Sequence, residues 1–265
     1  MNRNGGHICA RPQLIVTSKN WSQREAFLEQ VKIALEESTY GVGSYYPGYE
    51  KRMQKFEQEH DSDKVQVLQP KNCDSCTQLL WIPGCSEDDY VCKNEAFCQV
   101  LAEVPLDTDA DATSFLDYAT QFCNEKVSGS LVAGIVIDGT TKRRHRSALH
   151  RAVNELNYGT IGINMQPAYS FGTPAVIFGG KDHSSTDIVS GKGHFGNQFG
   201  FQNAEKSILE DTFWSLNHVA IDTKGGMNRT LFAMARYSST KSWSDLLKLV
   251  GAVMIHHCVA KRKDW

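Results

Sequence analysis

Two apolar runs separated by a segment of helical periodicity constrain the fold of this chain most. Residues 131–137 are almost continuously apolar, and residues 160–164 form the second run. Between them, residues 142–157 carry apolar side chains at helical spacing. Parallel strands need a crossover connection, usually a helix, and strands buried on both faces have near-continuous apolar sequences. The alternation therefore predicts an α/β fold with an open sheet flanked by helices.

The chain is expected to divide into an α/β domain, residues 1–205, and a helical C-terminal extension, residues 206–265. A Cys-containing insertion near residues 70–93 is predicted to be an irregular surface segment, and residues 172–200 are glycine-rich and loop-like. Elsewhere, apolar patterns and turn residues indicate regular elements. We expect strands at residues 13–17, 65–68 and within 94–104, and helices at residues 22–37, 50–60, 111–125 and 242–257.

The composition limits the classes of protein to which the chain can belong. Hydrophobic residues make up 41% and charged residues 22%, so a packed core is expected rather than disorder. A net charge of −2 gives no electrostatic argument for binding nucleic acid or an anionic membrane. No apolar run approaches the ~20 residues that span a bilayer, and the N-terminus lacks the apolar segment of a secretory signal. The eight cysteines are therefore expected to be thiols in an intracellular, reducing compartment.

Cys9 is the candidate nucleophile of the chain. It lies in the stretch Asn4-Gly5-Gly6-His7-Ile8-Cys9-Ala10, shortly before an apolar run. Paired glycines permit positive φ and a close approach of the backbone to a ligand. A thiol in this position can be presented to a substrate while its own backbone N–H faces a developing oxyanion. The alternative is a buried cysteine that packs as a small hydrophobe.

Four further cysteines, Cys73, Cys76, Cys85 and Cys92, raise the question of a metal site. Thiolates separated by two residues can share a zinc ion. The second pair is separated by six residues, however, and no histidine lies within the span. We therefore expect no metal here, and unligated or redox-labile thiols in the surface insertion.

Residues 191–196 match the pattern G-x-G-x-x-G. A dinucleotide-binding motif of this kind requires a strand before it and a helix after it. The flanking sequence is polar and glycine-rich on both sides, so we do not interpret this match as a nucleotide site.

Glu95 is a second candidate for ligand binding. It precedes Phe97 and lies between a loop and an apolar strand, where its carboxylate could accept hydrogen bonds from a pair of hydroxyl groups on a ligand. The alternative is a solvated surface glutamate.

Four short motifs follow one another along the chain. They are Gly-Gly-x-x-Cys ending at Cys9, Glu-x-Phe-x-x-Val starting at Glu95, Tyr-Gly-Thr-Ile-Gly-Ile-Asn at residues 158–164, and Phe-Gly-Gly-Lys starting at Phe178. In this order they resemble the C-terminal, catalytic half of the aldehyde dehydrogenase superfamily, whose patterns run G-Q-x-C, E-I-F-G-P-V, G-T-V-x-V-N and P-F-G-G. The resemblance is to a divergent branch of that superfamily and covers roughly residues 4–216.

The resemblance implies a role for each motif. Cys9 is implied to be the catalytic nucleophile, which attacks an aldehyde carbonyl and carries a thioester that water hydrolyses. Glu95 is implied to hold the nicotinamide ribose of NAD or NADP, with Phe97 beside the cofactor. Phe178 is implied to line the substrate tunnel, and Asn164 to support the active site structurally.

The sequence also departs from this family. The family's nucleotide-binding domain, its general-base glutamate and the asparagine that supplies a second oxyanion donor have no counterpart here, and Gln99 and Ile177 replace prolines. We therefore expect the thiol-bearing half of an NAD(P)-dependent aldehyde dehydrogenase, inactive in isolation and acting on a small aldehyde with a nucleotide-binding-domain chain or as a homo-oligomer. Its partner surface is expected to include the strand next to Cys9 and the loop around Glu95. The alternative is a non-catalytic structural subunit that retains the fold.

Overall fold

The structure is a computed structural model, and it describes eight parts of the chain. The residues fall into two compact units, Met1–Leu209 and Glu210–Trp265. The described parts are residues 3–37, 45–71, 78–173, 175–181, 192–196, 200, 202–214 and 226–261.

A four-stranded mixed sheet forms one half of the first unit. Its strands are β1 (Leu14–Ser18), β2 (Gln66–Leu68), β3 (Leu79–Ile82) and β4 (Val100–Leu106), in the spatial order β1-β4-β3-β2. Strands β1 and β3 both run parallel to β4, and β2 pairs antiparallel with β3 at the edge. All four residues of β3 are buried, because this strand lies inside the sheet with helices over both faces.

Helices cover both faces of this sheet, and alternate residues of β3 point to opposite sides. On one face, α1 (Arg24–Glu37) packs through Leu28 against a cluster that includes Leu79 and Trp81. The other face holds a larger core with Leu80 and Ile82. Over it lie α2 (Tyr49–Gln58), α3 (Tyr90–Lys93) and α4 (Ala112–Glu125).

A second sheet completes the first unit. It consists of β5 (Val132–Ile135), β6 (Thr160–Ile163) and β9 (Ser207–Glu210), in the order β5-β6-β9, and β5 runs parallel to β6. The connection between the parallel strands contains α5 (Gly139–Arg144) and α6 (Arg146–Glu155), which meet at His145. A short antiparallel pair, β7 (Phe178–Gly179) and β8 (His194–Gly196), follows β6.

The second unit contains a helical hairpin made of α7 (Gly226–Thr240) and α8 (Trp243–Lys261). Lys241 turns the chain between them with a φ of 51°. Asp245, only 4% exposed, accepts hydrogen bonds from Thr240 and Lys248. These bonds lower the pKa of the Asp245 carboxyl well below its usual range. No helix in the described parts of the chain is both long and apolar enough to cross a membrane.

The predicted α/β class, with an open sheet flanked by helices, is confirmed. The prediction for residues 70–93 is wrong in its described part, because β3 is an inner strand there and Cys85 and Cys92 are 3% and 1% exposed. Cys73 and Cys76 lie outside the described residues. The single helix predicted over residues 142–157 is two helices, α5 and α6. The boundary between the compact units follows Leu209, a few residues after the predicted domain boundary at residue 205, so most of β9 belongs to the first unit.

Candidate active site

Cys9 lies at the surface, directly after a tight loop. Asn4, Gly5 and Gly6 all have positive φ, at 52°, 62° and 82°. Two hydrogen bonds close the loop, one from the His7 N–H to the Asn4 carbonyl and one from the Asn4 side chain to the His7 carbonyl, each 3.0 Å long. The thiol of Cys9 is exposed and free. The glycine pair therefore builds the turn that presents the thiol, as its conformational freedom predicts.

Gly6 joins this loop to the Glu-x-Phe motif. A Cβ atom at Gly6 would lie 2.7 Å from both the carbonyl carbon and the carbonyl oxygen of Cys98. Real Cβ atoms essentially never approach the backbone this closely. The absence of a side chain at Gly6 thus lets the Cys9 loop rest directly on the backbone that follows Phe97.

Aromatic rings complete the contact between the two loops. The His7 ring lies 5.6 Å from the Phe97 ring and stacks on Tyr46 at 4.9 Å. Phe97 in turn meets Tyr46 edge to face at 5.5 Å, and Tyr49 lies 5.4 Å from His7. Offset and edge-to-face pairs of this kind stabilise a packed cluster beyond their buried area. Phe97 itself has a φ of 42°, which marks its loop as a constrained turn.

His7 is a member of this site to which the sequence gave no role. Its ring nitrogen Nδ1 donates to the Asn4 carbonyl at 3.0 Å, and its Nε2 is buried without a hydrogen-bond partner among the described residues. Burial lowers the pKa of His7, and the nearby Arg52 and Arg11 lower it further. The lowered pKa favours the neutral imidazole near pH 7, in which Nδ1 carries the hydrogen and Nε2 bears the lone pair.

The loop that carries Glu95 is fixed by the side chain of Gln13. The Gln13 amide donates to the carbonyls of Val91 and Asn94 at 2.8 and 2.7 Å, and its oxygen accepts from the Ala96 N–H at 2.7 Å. Both sides of the loop are thereby held by one residue just before β1. Glu95 lies exposed at the tip of this loop.

Arg11 provides a second clamp at the start of β4. Its guanidinium donates twice to the Val100 carbonyl, each time at 2.9 Å. Burial lowers the pKa of Arg11 to about 10, so the group keeps its positive charge near pH 7. Gln13 and Arg11 follow shortly after Cys9 in the sequence, and together they hold residues 95–100 at both ends.

The third and fourth motifs also meet each other. A Cβ atom at Gly159 would lie 2.7 Å from the Gly180 carbonyl carbon and 2.8 Å from that of Gly179. Lys181 donates to the Asn157 side chain at 2.9 Å. The Asn164 side chain exchanges two hydrogen bonds of 2.8 Å with the backbone of Ile137, which ties the end of β6 to the loop after β5.

Phe178 lies in β7 and is only 1% exposed. Its ring meets that of Phe171 edge to face at 5.5 Å, and Phe171 is 67% exposed. The structure thus places Cys9 on one loop and Glu95 and Phe97 on another, and the two loops touch through Gly6 and His7. Phe178 belongs to a different, two-stranded sheet. Of the segment 191–196, the described residues include β8, an antiparallel strand rather than the helix of a dinucleotide motif.

The described cysteines differ sharply in exposure. Cys9 is exposed, whereas Cys98 is 0% exposed and Cys123 is partly buried. Burial raises the pKa of Cys98 to about 11 and that of Cys123 to about 12. Because the thiolate is the reactive species, both of these thiols are inert near pH 7. Cys9 is the exposed thiol among the five cysteines whose side chains the structure describes.

Comparison with known proteins gives agreement at the level of fold. No protein-family model and no curated protein sequence matches this chain significantly. Solved structures of aldehyde dehydrogenases do match it. An NAD-dependent aldehyde dehydrogenase from Sinorhizobium meliloti superposes with a TM-score of 0.52 at 16% identity, over 68% of this chain and 35% of that one.

Two further structures give similar values. A salicylaldehyde dehydrogenase from Pseudomonas putida G7 has a TM-score of 0.56 at 13% identity, over 74% of this chain and 38% of that one. A betaine aldehyde dehydrogenase from Staphylococcus aureus has a TM-score of 0.54 at 14% identity, with the same coverages of 74% and 38%. The chain spans little more than a third of the length of these proteins, so it has the fold of part of an aldehyde dehydrogenase subunit.

Proposed function

We propose that this chain is the thiol-bearing part of an NAD(P)-dependent aldehyde dehydrogenase, which converts an aldehyde to a carboxylate through a thioester on Cys9. The observation that carries the proposal is the packing of the Cys9 loop on the Glu95–Phe97 loop. Gly6 lies directly against the Cys98 backbone, and the His7 and Phe97 rings are 5.6 Å apart. The loop with the exposed thiol therefore adjoins the loop proposed for the cofactor, which supports the proposal because oxidation at a thiol-bound carbon needs the two groups close together.

The proposed reaction begins at the Cys9 sulfur. The thiol gives its proton to solvent water, the thiolate forms an S–C bond with the aldehyde carbonyl carbon, and the carbonyl π electrons move to oxygen. The backbone N–H of Cys9 is assigned as a donor to this oxyanion. After a hydride leaves the carbon, a thioester remains. Water then attacks the acyl carbon, the C–S bond breaks, and the products are the carboxylate and the free Cys9 thiol.

The residues of the Glu95–Phe97 loop fit the nicotinamide end of the cofactor. The exposed Glu95 carboxylate can accept hydrogen bonds from a pair of ribose hydroxyls, and Phe97 offers an aromatic edge beside it. When bound, NAD or NADP supplies the acceptor for the hydride. We assign the adenosine and pyrophosphate end to a nucleotide-binding domain outside the described residues, either on a partner chain or on another part of the same protein.

We assign the apolar wall of the substrate site to Phe178, with Phe171 as its exposed neighbour. Phe178 is buried, and its ring packs edge to face against the exposed Phe171 at 5.5 Å. An aromatic pair of this kind suits an apolar aldehyde. The partner surface is assigned to the region around the Cys9 and Glu95 loops.

An assay with a panel of aldehydes and with NAD or NADP tests this proposal. The chain alone is expected to reduce neither nucleotide. Together with a co-purifying chain that carries a nucleotide-binding domain, it is expected to do so, and Cys9→Ser is expected to lower that rate at least ~10⁴-fold. The matched control is Cys123→Ser, which removes a thiol that this mechanism does not use.

Two outcomes would contradict the proposal in different ways. A monomeric chain that reduces NAD by itself would contradict the assignment of the nucleotide site to another domain. Full activity of the assembly with Cys9→Ser would show that the chain is a structural subunit, since the chemistry would then reside elsewhere.

A further inference from the structure

A partly buried cluster of metal-ligating side chains lies apart from the candidate active site. His60 follows α2, Cys85 lies in the turn after β3, and Asp89 is the N-cap of α3. One ligand atom from each of these residues lies within 4.8 Å of the others. Because the three carrying elements pack in one core of the first sheet, the fold itself preforms the cluster.

His60 is already oriented as metal-bound histidines usually are. Its side chain is 1% exposed, and its Nδ1 lies 2.5 Å from the Phe56 carbonyl oxygen. A carbonyl can only accept, so Nδ1 carries the hydrogen and Nε2 bears the lone pair of the neutral ring. A histidine that donates its other nitrogen to a backbone carbonyl is the common arrangement around protein-bound metals.

The Nε2 atom of His60 faces Asp89 without a conventional bond. It lies 2.6 Å from the Asp89 Oδ1 atom, yet it makes no hydrogen bond of acceptable geometry with any described residue. A lone pair and a carboxylate oxygen repel each other at this distance unless a proton or a cation lies between them. The pair is a preformed site for a cation, but the ligand atoms of a tetrahedral zinc ion lie about 3.4 Å apart, so Nε2 and Oδ1 would have to separate slightly to admit the ion.

Thiols supply the remaining donors. Cys85 is 3% exposed, and its backbone N–H donates to the Glu103 carbonyl at 2.9 Å, which fixes its position. Cys92 is 1% exposed and lies one turn along α3 from Asp89, on the same face of the helix. Burial and the charge of the nearby Asp89 raise the pKa of Cys92 to about 12.

We propose that His60, Cys85 and Asp89 bind a structural zinc ion, whose fourth position is filled by water or by the nearby Cys92 thiol. A set of imidazole, carboxylate and thiolate donors suits zinc, whereas calcium and magnesium prefer oxygen ligands alone. No histidine lies between Cys73 and Cys92 in the sequence. The fold supplies His60 from outside that span. Zinc would join α2, the turn after β3 and α3, and its binding would release the thiol protons.

Zinc content and affinity of the full chain test this site. The protein is purified in a non-thiol reductant, stripped of metal and titrated with Zn²⁺, and Co²⁺ is substituted to report thiolate ligation in the absorption spectrum. We expect about one zinc per chain and a rise in the thermal midpoint on binding. Cys85→Ser and His60→Gln are each expected to lower zinc affinity more than about 100-fold, since loss of an outer-shell partner alone costs about 10- to 100-fold.

The control variant is Cys9→Ser, which removes an exposed thiol and is expected to leave zinc affinity unchanged. If the His60 variant does not fold, Asp89→Asn replaces a ligand with a near-isostere and keeps the measurement possible. Three results would overturn the proposal. The first is that the wild-type chain retains no zinc, and the second is that Cys85→Ser binds zinc as tightly as the wild-type chain. The third is that zinc is lost only when Cys73 and Cys76 are replaced.

Discussion

Replacing Arg24 by alanine is expected to destabilise the first unit by about 3–5 kcal/mol. The Glu103 side chain is 0% exposed in the middle of β4, and Arg24 donates to its two oxygens at 2.8 and 2.7 Å. The Gly84 N–H donates to the same carboxylate at 2.9 Å, and the Thr17 hydroxyl donates as well. Without the guanidinium, a buried carboxylate would keep only neutral donors. Urea unfolding at neutral pH measures the change.

Arg151→Ala is the matched control for this prediction. Arg151 donates to Asp117 at 2.9 Å, but the two side chains are 47% and 48% exposed. A surface pair of this kind contributes at most about 1 kcal/mol. Equal losses for the two arginine variants would contradict the view that burial of Glu103 makes its partner important. Replacing Arg24 and Glu103 together by apolar residues should recover much of the lost stability.

Gly6→Ala is expected to destabilise the fold by about 2–5 kcal/mol and to displace the Cys9 loop. Two costs combine, because a φ of 82° disfavours any Cβ and because that Cβ would lie 2.7 Å from the Cys98 carbonyl. The left-handed backbone conformation costs about 1–2 kcal/mol for a residue with a Cβ, and the steric overlap with Cys98 costs about 1–3 kcal/mol. Urea unfolding gives the total, and the rate of Cys9 alkylation reports whether the loop has moved.

Gly129→Ala separates the two contributions. Gly129 has a similar φ of 94°, but nothing lies within 4 Å of an added Cβ there. Gly129→Ala should therefore lower the free energy of unfolding only by the conformational cost of about 1–2 kcal/mol. If Gly6→Ala costs no more than Gly129→Ala, the close packing of the Cys9 loop on the Cys98 backbone does not stabilise the site.

Periodicity predicted the elements that are long or clearly capped. The helix of residues 111–125 begins where Asp111 accepts hydrogen bonds from the N–H groups of Thr113 and Ser114, as its position before an apolar-periodic run predicts. The strand of residues 160–164 corresponds to β6, buried at all four positions. In both cases the local pattern and the tertiary packing favour the same structure.

The missed elements depend on neighbours that are distant in sequence. Strand β3 has only four residues between cysteine-, glycine- and proline-containing segments, and its identity comes from pairing with β2 and β4. Glu103, in the interior of β4, gave no sequence indication of its role, because its partner Arg24 lies in α1. The role of His60 leaves no local sequence pattern for the same reason, since Asp89 meets it only in the folded chain.

The sequence named candidate residues for the site, but not the contacts that hold their loops together. The order of the motifs identified Cys9, Glu95 and Phe97 as candidates through one family resemblance. The loop that carries Cys9 adjoins the loop that carries Glu95 and Phe97. The Gln13 clamp could not be predicted, because three hydrogen bonds from one amide to a loop over 70 residues away leave no local pattern. The neutral, buried His7 likewise follows from its aromatic surroundings, which the fold assembles.

Alkylation of Cys9 in the presence and absence of an aldehyde tests the central claim most directly, because it needs only this chain. Iodoacetamide labelling is followed by peptide mass spectrometry on the folded protein, with the corresponding alcohol and the urea-unfolded chain as controls. Cys9 should be modified before Cys98 and Cys123, and an aldehyde should slow its labelling at concentrations that protect no cysteine in the unfolded chain. Labelling of Cys9 no faster than that of Cys123, or no protection by any aldehyde, would contradict the assignment of Cys9 as the nucleophile.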